Sequence, residues 1–215
     1  MIFVNFKTYQ KGTGEEAVLL ARICSEISQK CSVNIVPVVQ STDIFRLSSQ
    51  GFLVWAQHVD NIDFGPHTGH FLPQAAMEAG AQGTLLNHSE NKLQIEVVTQ
   101  TIKQCQDLNL SVLVCSNNLS EAQQINQVSP DFIAYEPPEL IGSKTLSVST
   151  GRPDVVSGFV AAFPGVPVMV GAGIHGSEDV RLALKLGAKG ILVSSDVLLS
   201  LDPEKALLDL ALGFT

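Results

Sequence analysis

Three side chains suited to proton transfer lie just beyond apolar runs of the chain. Lys7, His88 and Glu136 follow the first, fourth and sixth of these runs. Imidazoles and carboxylates are the groups that most often take up or release a proton in catalysis, and an ammonium group stabilises negative charge that develops on an oxygen. If the three side chains converge, they would suit proton removal next to a carbonyl group.

Each of these residues also has an ordinary structural explanation. Lys7 fits a lysine at the rim of a barrel, and His88, near a predicted helix start, fits a side chain that bonds to the turn. Glu136 is different, because the following Pro137 restricts it to an extended conformation, so that a strand aims its side chain. The prediction of catalysis therefore depends on the three residues together.

The elements that would position these residues alternate between strand and helix patterns. Several of the apolar runs are continuous, as expected for parallel strands covered on both faces. Helical periodicity is clearest over Lys92–Leu108. The eight predicted strands are Ile2–Asn5, Asn34–Val39, Leu53–Gln57, Gly83–Leu86, Ser111–Cys115, Phe132–Tyr135, Val168–Gly171 and Gly190–Val193.

This order predicts an α/β protein in which residues 1–215 form a single (β/α)8 barrel domain. Each strand–helix unit averages about 27 residues, which is compact for such a barrel. No linker divides the chain. An open, doubly wound sheet is the alternative, but it usually carries a glycine-rich segment after the first strand, where this chain has Asn5-Phe6-Lys7-Thr8-Tyr9. In a barrel the C-terminal strand ends share one face, so the three polar residues would meet there.

Small residues follow the last two predicted strands. They are Gly171-Ala172-Gly173 and Ser194-Ser195-Asp196. Barrels of this kind often bind phosphate at this position, although a tight turn explains the glycine segment equally well. Together with the lysine, histidine and glutamate, these turns favour proton transfer on a small phosphorylated carbonyl compound.

Composition and charge exclude several classes of protein. Hydrophobic residues make up 45% of the chain, which is enough for a sizeable core. The formal net charge is -8, from 13 Lys plus Arg against 21 Asp plus Glu. Because an acidic surface repels polyanions, we predict no nucleic-acid partner and expect any phosphate to be held by local donors.

Neither a membrane span nor a metal site is predicted. No apolar run approaches the roughly 20 residues that a span needs, and the first residues do not resemble a signal peptide. We therefore predict a cytoplasmic protein with no membrane association. The four cysteines (Cys24, Cys31, Cys105 and Cys115) lack metal-binding spacing, and a disulfide framework is poorly supported at this length.

Three segments closely resemble the triosephosphate isomerase family. They are Asn5-Phe6-Lys7-Thr8-Tyr9, Leu86-Asn87-His88-Ser89-Glu90 and Ala134-Tyr135-Glu136-Pro137-Pro138-Glu139-Leu140-Ile141-Gly142. The short format, with Ala56-Gln57-His58-Val59-Asp60 and Gly171-Ala172-Gly173-Ile174, is similar to the archaeal-type branch. The resemblance covers the whole chain. It implies a TIM barrel that interconverts dihydroxyacetone phosphate and D-glyceraldehyde 3-phosphate in glycolysis and gluconeogenesis, without a metal or an organic cofactor.

The resemblance also implies a role for each catalytic residue. Glu136 would be the base that moves a proton between adjacent carbons, and neutral His88 would polarise the carbonyl and shuttle protons between the oxygens. Lys7 would supply positive charge to the enediolate and the phosphate, and Asn5 would help to orient the substrate. The family is a standard example of acid–base catalysis, and these roles are what the resemblance implies.

A lid and an anion site are implied in the same way. Residues 137–145 would close over the substrate, with Ile141 covering the carboxylate and Gly142 donating a backbone N–H to the phosphate. N–H groups near Gly173, Ser194 and Ser195 would complete the anion site.

The long loop after the third strand also matches the family. Thr68-Gly69 corresponds to the family's intersubunit loop. The resemblance therefore implies a homodimer or a homotetramer.

The chain departs from the family at three places. The lid reads Ile141-Gly142-Ser143-Lys144 where the family usually has Ile-Gly-Thr-Gly, and Lys92 stands near a position where arginine is common. Asp196 follows the eighth strand where small residues are typical. A carboxylate about 6 Å from a phosphate charge would cost roughly 3 kcal/mol at an effective dielectric near 20. We therefore expect Asp196 to point away from the site and to cap the following helix.

Two other functions remain open. One is another barrel isomerase, or an aldolase, that acts on a larger sugar phosphate. The aldolase would need a Schiff-base lysine, for which Lys7 is the sole candidate because no predicted strand contains a lysine. A non-catalytic or altered-specificity barrel paralogue that binds a small sugar phosphate is suggested by the altered lid and Asp196. The presence of Asn5 and the three catalytic candidates together argues against this paralogue.

Overall fold

The strands close into the predicted (β/α)8 barrel. The computed structural model describes residues 1–137 and 153–215. Neighbouring strands pair in parallel, and β1 pairs with β8 to close the ring. The strands are β1 Ile2–Asn5, β2 Ile35–Val39, β3 Trp55–Ala56, β4 Gly83–Leu86, β5 Ser111–Ser116, β6 Phe132–Tyr135, β7 Val168–Val170 and β8 Gly190–Val193.

Helices alternate with these strands over the described ranges. They are α1 Gly14–Cys31, α2 Ser41–Ser48, α3 Pro73–Glu78, α4 Ile95–Asp107, α5 Leu119–Ile125, α6 Pro153–Ala161, α7 Ser177–Lys185, α8 Ser195–Leu198 and α9 Pro203–Leu212, with 3-10 turns at Gln10–Gly12 and Asn126–Val128. The pattern over Lys92–Leu108 corresponds to α4. This helix begins later than predicted because the N–H of Leu93 donates to the side chain of Asn87 at 3.0 Å, which holds the preceding residues in a loop.

Strand β3 is shorter than the predicted Leu53–Gln57. Only Trp55 and Ala56 pair in strand geometry, although the N–H of Gln57 still donates to the carbonyl of Val39 at 3.1 Å. The backbone therefore continues beside β2 as far as Gln57, although β3 itself ends at Ala56.

Two apolar layers hold the barrel together. One lies between the strands and the helices. The other is formed by alternate strand residues, including Phe3, Leu113, Ala134 and Leu192, which fill the interior. Since strand side chains alternate in direction, the residue two positions further along a strand also faces inward. Glu136, two positions after Ala134, therefore also faces the interior.

Close backbone approach fixes the point at which the ring closes. Gly190 lies beside the carbonyl of Met1, and a Cβ atom at this position would be 2.1 Å from that oxygen. The N–H of Ile191 donates to the same carbonyl at 3.1 Å. A glycine is therefore required where β8 meets the start of β1. Within the described ranges, no helix combines the length and the apolar character that crossing a bilayer demands.

Candidate active site

A cavity at the C-terminal ends of the strands brings the predicted site residues together. It is lined by Asn5, Lys7, His88, Glu136, Gly171, Ala172, Gly173, Ile174, Leu192, Val193, Ser194, Ser195 and Asp196. An adjoining depression shares Asn5, Lys7 and His88 and extends to Gln57 and Glu90. The predicted lid residues Ile141, Gly142 and Lys144 lie outside the described residues.

Glu136 lies buried at the floor of this cavity, with only 6% of its surface exposed. Its N–H donates to the carbonyl of Ser116 at 3.0 Å, so the chain continues the direction of β6 and aims the side chain inward. Gly171 packs directly against it, since an added Cβ would lie 3.2 Å from Cγ of Glu136. Oε2 of Glu136 accepts no hydrogen bond from the described residues.

The surroundings raise the pKa of Glu136 above its ordinary value. Burial is the largest cause, and the negative charge of Glu90 acts in the same direction. His88, the thiol of Cys115 and Lys7 oppose the shift, in that order of size. Burial also raises the pKa of Cys115 well above its usual range, so this thiol stays protonated beside the carboxyl. Glu136 is consequently a stronger base than an exposed glutamate.

His88 presents one ring nitrogen to the cavity. Its Nδ1 accepts a hydrogen bond from the N–H of Glu90 at 3.2 Å, which assigns the proton of a neutral ring to Nε2. Nε2 lies 3.7 Å from Oε1 of Glu136. The N–H at Nε2 therefore faces the space beside the buried carboxyl.

The turn that carries His88 is held by its neighbour. Asn87 has a φ of 58°, a left-handed conformation that asparagine tolerates better than most residues. Its Nδ2 donates to the carbonyl of Cys115 at 2.9 Å and to Oε1 of Glu121 at 3.0 Å. These bonds anchor the end of β4 to β5 and α5.

Glu121 also rebuilds the ion pair at the position where arginine was expected. Nζ of Lys92 lies 2.6 Å from Oε1 of Glu121. Oε2 accepts hydrogen bonds from the hydroxyl of Ser116 and the N–H of Asn117. A lysine and a partly buried network therefore replace the usual arginine.

Lys7 occupies a strained backbone conformation at the end of β1. Its φ is 47°, which is unusual for a lysine and is typical of functional positions. Its N–H donates to Oδ1 of Asn5 at 3.0 Å, and Nε2 of Gln57 donates to its carbonyl at 2.9 Å. Its Nζ lies 2.6 Å from Oε1 of Glu90. The lysine ammonium is thus held at the cavity edge with further N–H groups available.

The ends of β7 and β8 form the opposite wall. Gly173 has a φ of 59°, and the hydroxyl of Ser194 is buried without a hydrogen-bond partner among the described residues. The capping role expected for Asp196 was wrong, because Asp202 caps the helix α9, whereas Asp196 lies in the first turn of α8 and lines the cavity. Oδ1 of Asp196 lies 2.7 Å from Nδ1 of His175.

Several residues of the site had no role in the sequence prediction. Glu90, Gln57 and Glu121 support the catalytic candidates, and His175 pairs with Asp196. Of these, Glu90 and Gln57 carried a signal, because each lies in a segment that resembles the family. The others act through partners on distant loops, which spacing does not reveal.

The fold and the site together define a barrel protein with acid–base side chains at the C-terminal strand ends. The family model described as triosephosphate isomerase matches residues 1–210. Triosephosphate isomerases of Methanobacterium bryantii and Methanocaldococcus jannaschii are 42% and 39% identical to the chain over 215 residues. Each match covers 98% of this chain, and 95% and 98% of the respective relative. The chain belongs to the triosephosphate isomerase family, as its sequence predicted.

A solved structure confirms the fold independently. The crystal structure of triosephosphate isomerase from Bartonella henselae matches 99% of this chain and 98% of that chain, with a TM-score of 0.77. The sequences are 20% identical, so this likeness bears on the architecture alone.

Proposed function

We propose that this protein is a triose-phosphate isomerase that interconverts dihydroxyacetone phosphate and D-glyceraldehyde 3-phosphate through an enediolate, in glycolysis and gluconeogenesis. The observation that carries the proposal is the buried carboxyl of Glu136, whose Oε1 lies 3.7 Å from Nε2 of His88 in a cavity that Lys7 also lines. Membership of the family supports the same substrate.

The reaction moves protons and needs neither an oxidant nor a reductant. Glu136 removes a proton from the carbon next to the carbonyl and returns it to the former carbonyl carbon. The N–H of His88 donates to the carbonyl oxygen, and the ring then recovers a proton from the neighbouring hydroxyl. The raised pKa of Glu136 favours proton removal, because a stronger base reduces the uphill cost of that step.

Fixed positive charge and N–H donors would stabilise the anionic intermediate. Lys7 faces the enediolate and the phosphate with the N–H groups that Glu90 does not use, and Asn5 holds the turn of Lys7 and orients the substrate. Preorganised donors of this kind act most strongly in a cavity that excludes water.

N–H groups and a hydroxyl at the ends of β7 and β8 would bind the phosphate, and no basic side chain from these strands would be needed. We assign it to N–H groups near Gly173, Ser194 and Ser195, in keeping with the positive φ of Gly173 and the unused hydroxyl of Ser194. Ile141 and Gly142 would close over the substrate as a lid.

The wider predictions belong to the same proposal. We propose a cytoplasmic enzyme of one domain that uses no metal or organic cofactor and binds neither nucleic acid nor membranes. The match of one family model to residues 1–210 supports the single domain. The loop that contains Thr68-Gly69 supports a homodimer or a homotetramer.

A coupled assay on the purified protein tests the proposed activity. Dihydroxyacetone phosphate should be converted to D-glyceraldehyde 3-phosphate, which a dehydrogenase in the assay then oxidises. Absence of turnover would overturn the proposal. If phosphoglycolate, a mimic of the enediolate, still bound in that case, a non-catalytic paralogue would be supported. Borohydride trapping of a carbonyl substrate on Lys7 would instead indicate an aldolase.

A further inference from the structure

We infer that His175 is a positioning residue, which restrains the carboxylate of Asp196 and thereby sets the affinity of the cavity for the phosphate group. The inference rests on the proposed function, because it assigns the β7–β8 wall to phosphate. It adds a determinant of affinity outside the acid–base residues.

His175 lies in the loop between β7 and α7, and its side chain meets that of Asp196, which lies in the first turn of α8 and lines the cavity. Nδ1 of His175 lies 2.7 Å from Oδ1 of Asp196, and each side chain is 31% exposed. The backbone N–H of His175 donates to the carboxylate of Asp179 at 2.9 Å, which ties the histidine to the first turn of α7. Asp196 is thus held from one side by a residue that is itself anchored.

Charge explains why this carboxylate needs a partner. The cavity already holds the carboxyl of Glu136, and Lys7, the lysine among the described residues that line it, is paired with Glu90. A phosphate dianion that entered beside a free carboxylate would be repelled, and the repulsion would weaken its binding. An imidazole that donates to Oδ1 draws the charge of Asp196 toward β7 and fixes its direction.

An unused donor lies where a released carboxylate would compete with the ligand. The hydroxyl of Ser194 is buried, lines the same cavity and has no hydrogen-bond partner among the described residues. The second oxygen of Asp196 lies 3.4 Å from the hydroxyl of Ser195. Ser195 already donates to Asp196 while His175 holds it, so the carboxylate released by loss of His175 would be free to accept a further bond from the hydroxyl of Ser194, which we assign to phosphate.

A purely structural role makes a different prediction. The pair also links the loop after β7 to α8, so its loss could simply lower stability. In that case, removing both partners would be at least as damaging as removing His175 alone. If His175 acts by restraining a charge, then removing the charge of Asp196 as well should restore phosphate binding.

The test compares His175→Ala, His175→Asn and the double variant His175→Ala with Asp196→Asn. The dissociation constant of inorganic phosphate is measured by 31P NMR titration, and KM and kcat are measured in the isomerase assay. Glu178→Gln is the matched control, since the side chain of Glu178 is 97% exposed and lies at the start of α7, the helix to which His175 is tied.

His175→Ala should raise the dissociation constant of phosphate and KM about tenfold, which is the repulsion expected at a partly exposed site. Its kcat should stay within about twofold, because no acid–base group changes. His175→Asn keeps an N–H donor near the position of Nδ1 and should show a smaller effect. In the double variant, the dissociation constant of phosphate and KM should return to within about twofold of the parent values. Glu178→Gln should have the same values as the parent protein.

Three results would overturn the inference, two of them from the variants. One is unchanged phosphate affinity in His175→Ala, and the other is a double variant that binds as weakly as the single one. A parent protein that binds no phosphate at all would also overturn it. If the phosphate series behaves as expected but the parent protein shows no turnover, the proposed function fails while the inference stands.

Discussion

At the scale of single residues, Glu136 combines burial with the need to ionise. Burial favours the protonated form, whereas His88, Cys115 and Lys7 favour the carboxylate. The balance leaves a base that is stronger than an ordinary glutamate, beside an imidazole whose proton position is fixed by the N–H of Glu90. The same balance contributes to the pH dependence of both activity and stability.

The acid limb of kcat/KM should lie above the ordinary glutamate value of 4.5, because Glu136 must lose its proton to act. Stability should change in the opposite sense. Since the folded pKa is raised, the folded state binds more protons than the unfolded chain between 4.5 and that pKa, and stability is lost as pH rises through this window. A pH–rate profile and urea unfolding at several pH values measure both effects.

Glu136→Gln serves as the control for this prediction. The amide does not titrate, so the variant should lack this component of the pH dependence of unfolding. An acid limb with a midpoint at or below 4.5 in the parent protein would contradict the raised pKa.

At the scale of elements, the turn after β4 depends on a network centred on Glu121. Burial alone would raise the pKa of Glu121, but hydrogen bonds from Lys92, the N–H of Asn117 and Asn87 outweigh it and hold the pKa below its ordinary value. The carboxylate thus joins α5 to the loop that carries His88. A change at Glu121 should affect both stability and catalysis.

Glu121→Ala should destabilise the protein by about 2–3 kcal/mol, because it leaves several partly buried donors without an acceptor. It should also lower kcat/KM, since Asn87 loses one of the bonds that fix the turn. Chemical denaturation and the isomerase assay measure the two effects. Lys92→Met, which leaves the other donors paired, should be milder. Equal stability and activity in Glu121→Ala and the parent protein would contradict this role.

Much of the fold follows from local patterns. Continuous apolar runs predicted the strands, because parallel strands covered on both faces have no polar side. The start of α4 and the length of β3 were less predictable. The start of α4 follows a bond from the N–H of Leu93 to the side chain of Asn87, which the apolar pattern does not reveal.

The site divides in the same way. Glu136 was predictable because the period of two along β6 continues from Ala134 into the cavity. The ion pair between Lys7 and Glu90 was not predictable, since these two residues are 83 residues apart in sequence. For Asp196, repulsion between its carboxylate and a phosphate led to the prediction that the side chain points away from the site. The sequence does not reveal that His175 lies beside this carboxylate.

At the scale of the whole molecule, an acidic protein must bind a dianionic substrate. With a formal net charge of -8, the overall field opposes phosphate, so affinity must come from donors inside the cavity. Binding at such a site should stabilise the fold, because the ligand binds the folded chain and not the unfolded one.

Phosphoglycolate should therefore raise the Tm. At about 100 times its Kd, a ligand adds about 2.7 kcal/mol of stability, which corresponds to a shift of about 5–10 °C for a chain of this size. Differential scanning calorimetry measures the shift, and glycolate without the phosphate is the control. A Tm that is unaffected by phosphoglycolate, or that glycolate raises equally, would contradict phosphate recognition in this cavity.

Exchange of substrate protons with solvent tests the central claim, that Glu136 moves a proton between adjacent carbons. Dihydroxyacetone phosphate is incubated in D2O with the parent protein, with Glu136→Gln and with the exposed-surface control Glu96→Gln, and deuterium incorporation is followed by proton NMR. The parent protein and the control should incorporate deuterium during isomerisation. Glu136→Gln should remain folded and exchange at least about 100-fold more slowly, since the amide is not a base. Exchange by Glu136→Gln at the rate of the parent protein would contradict the account.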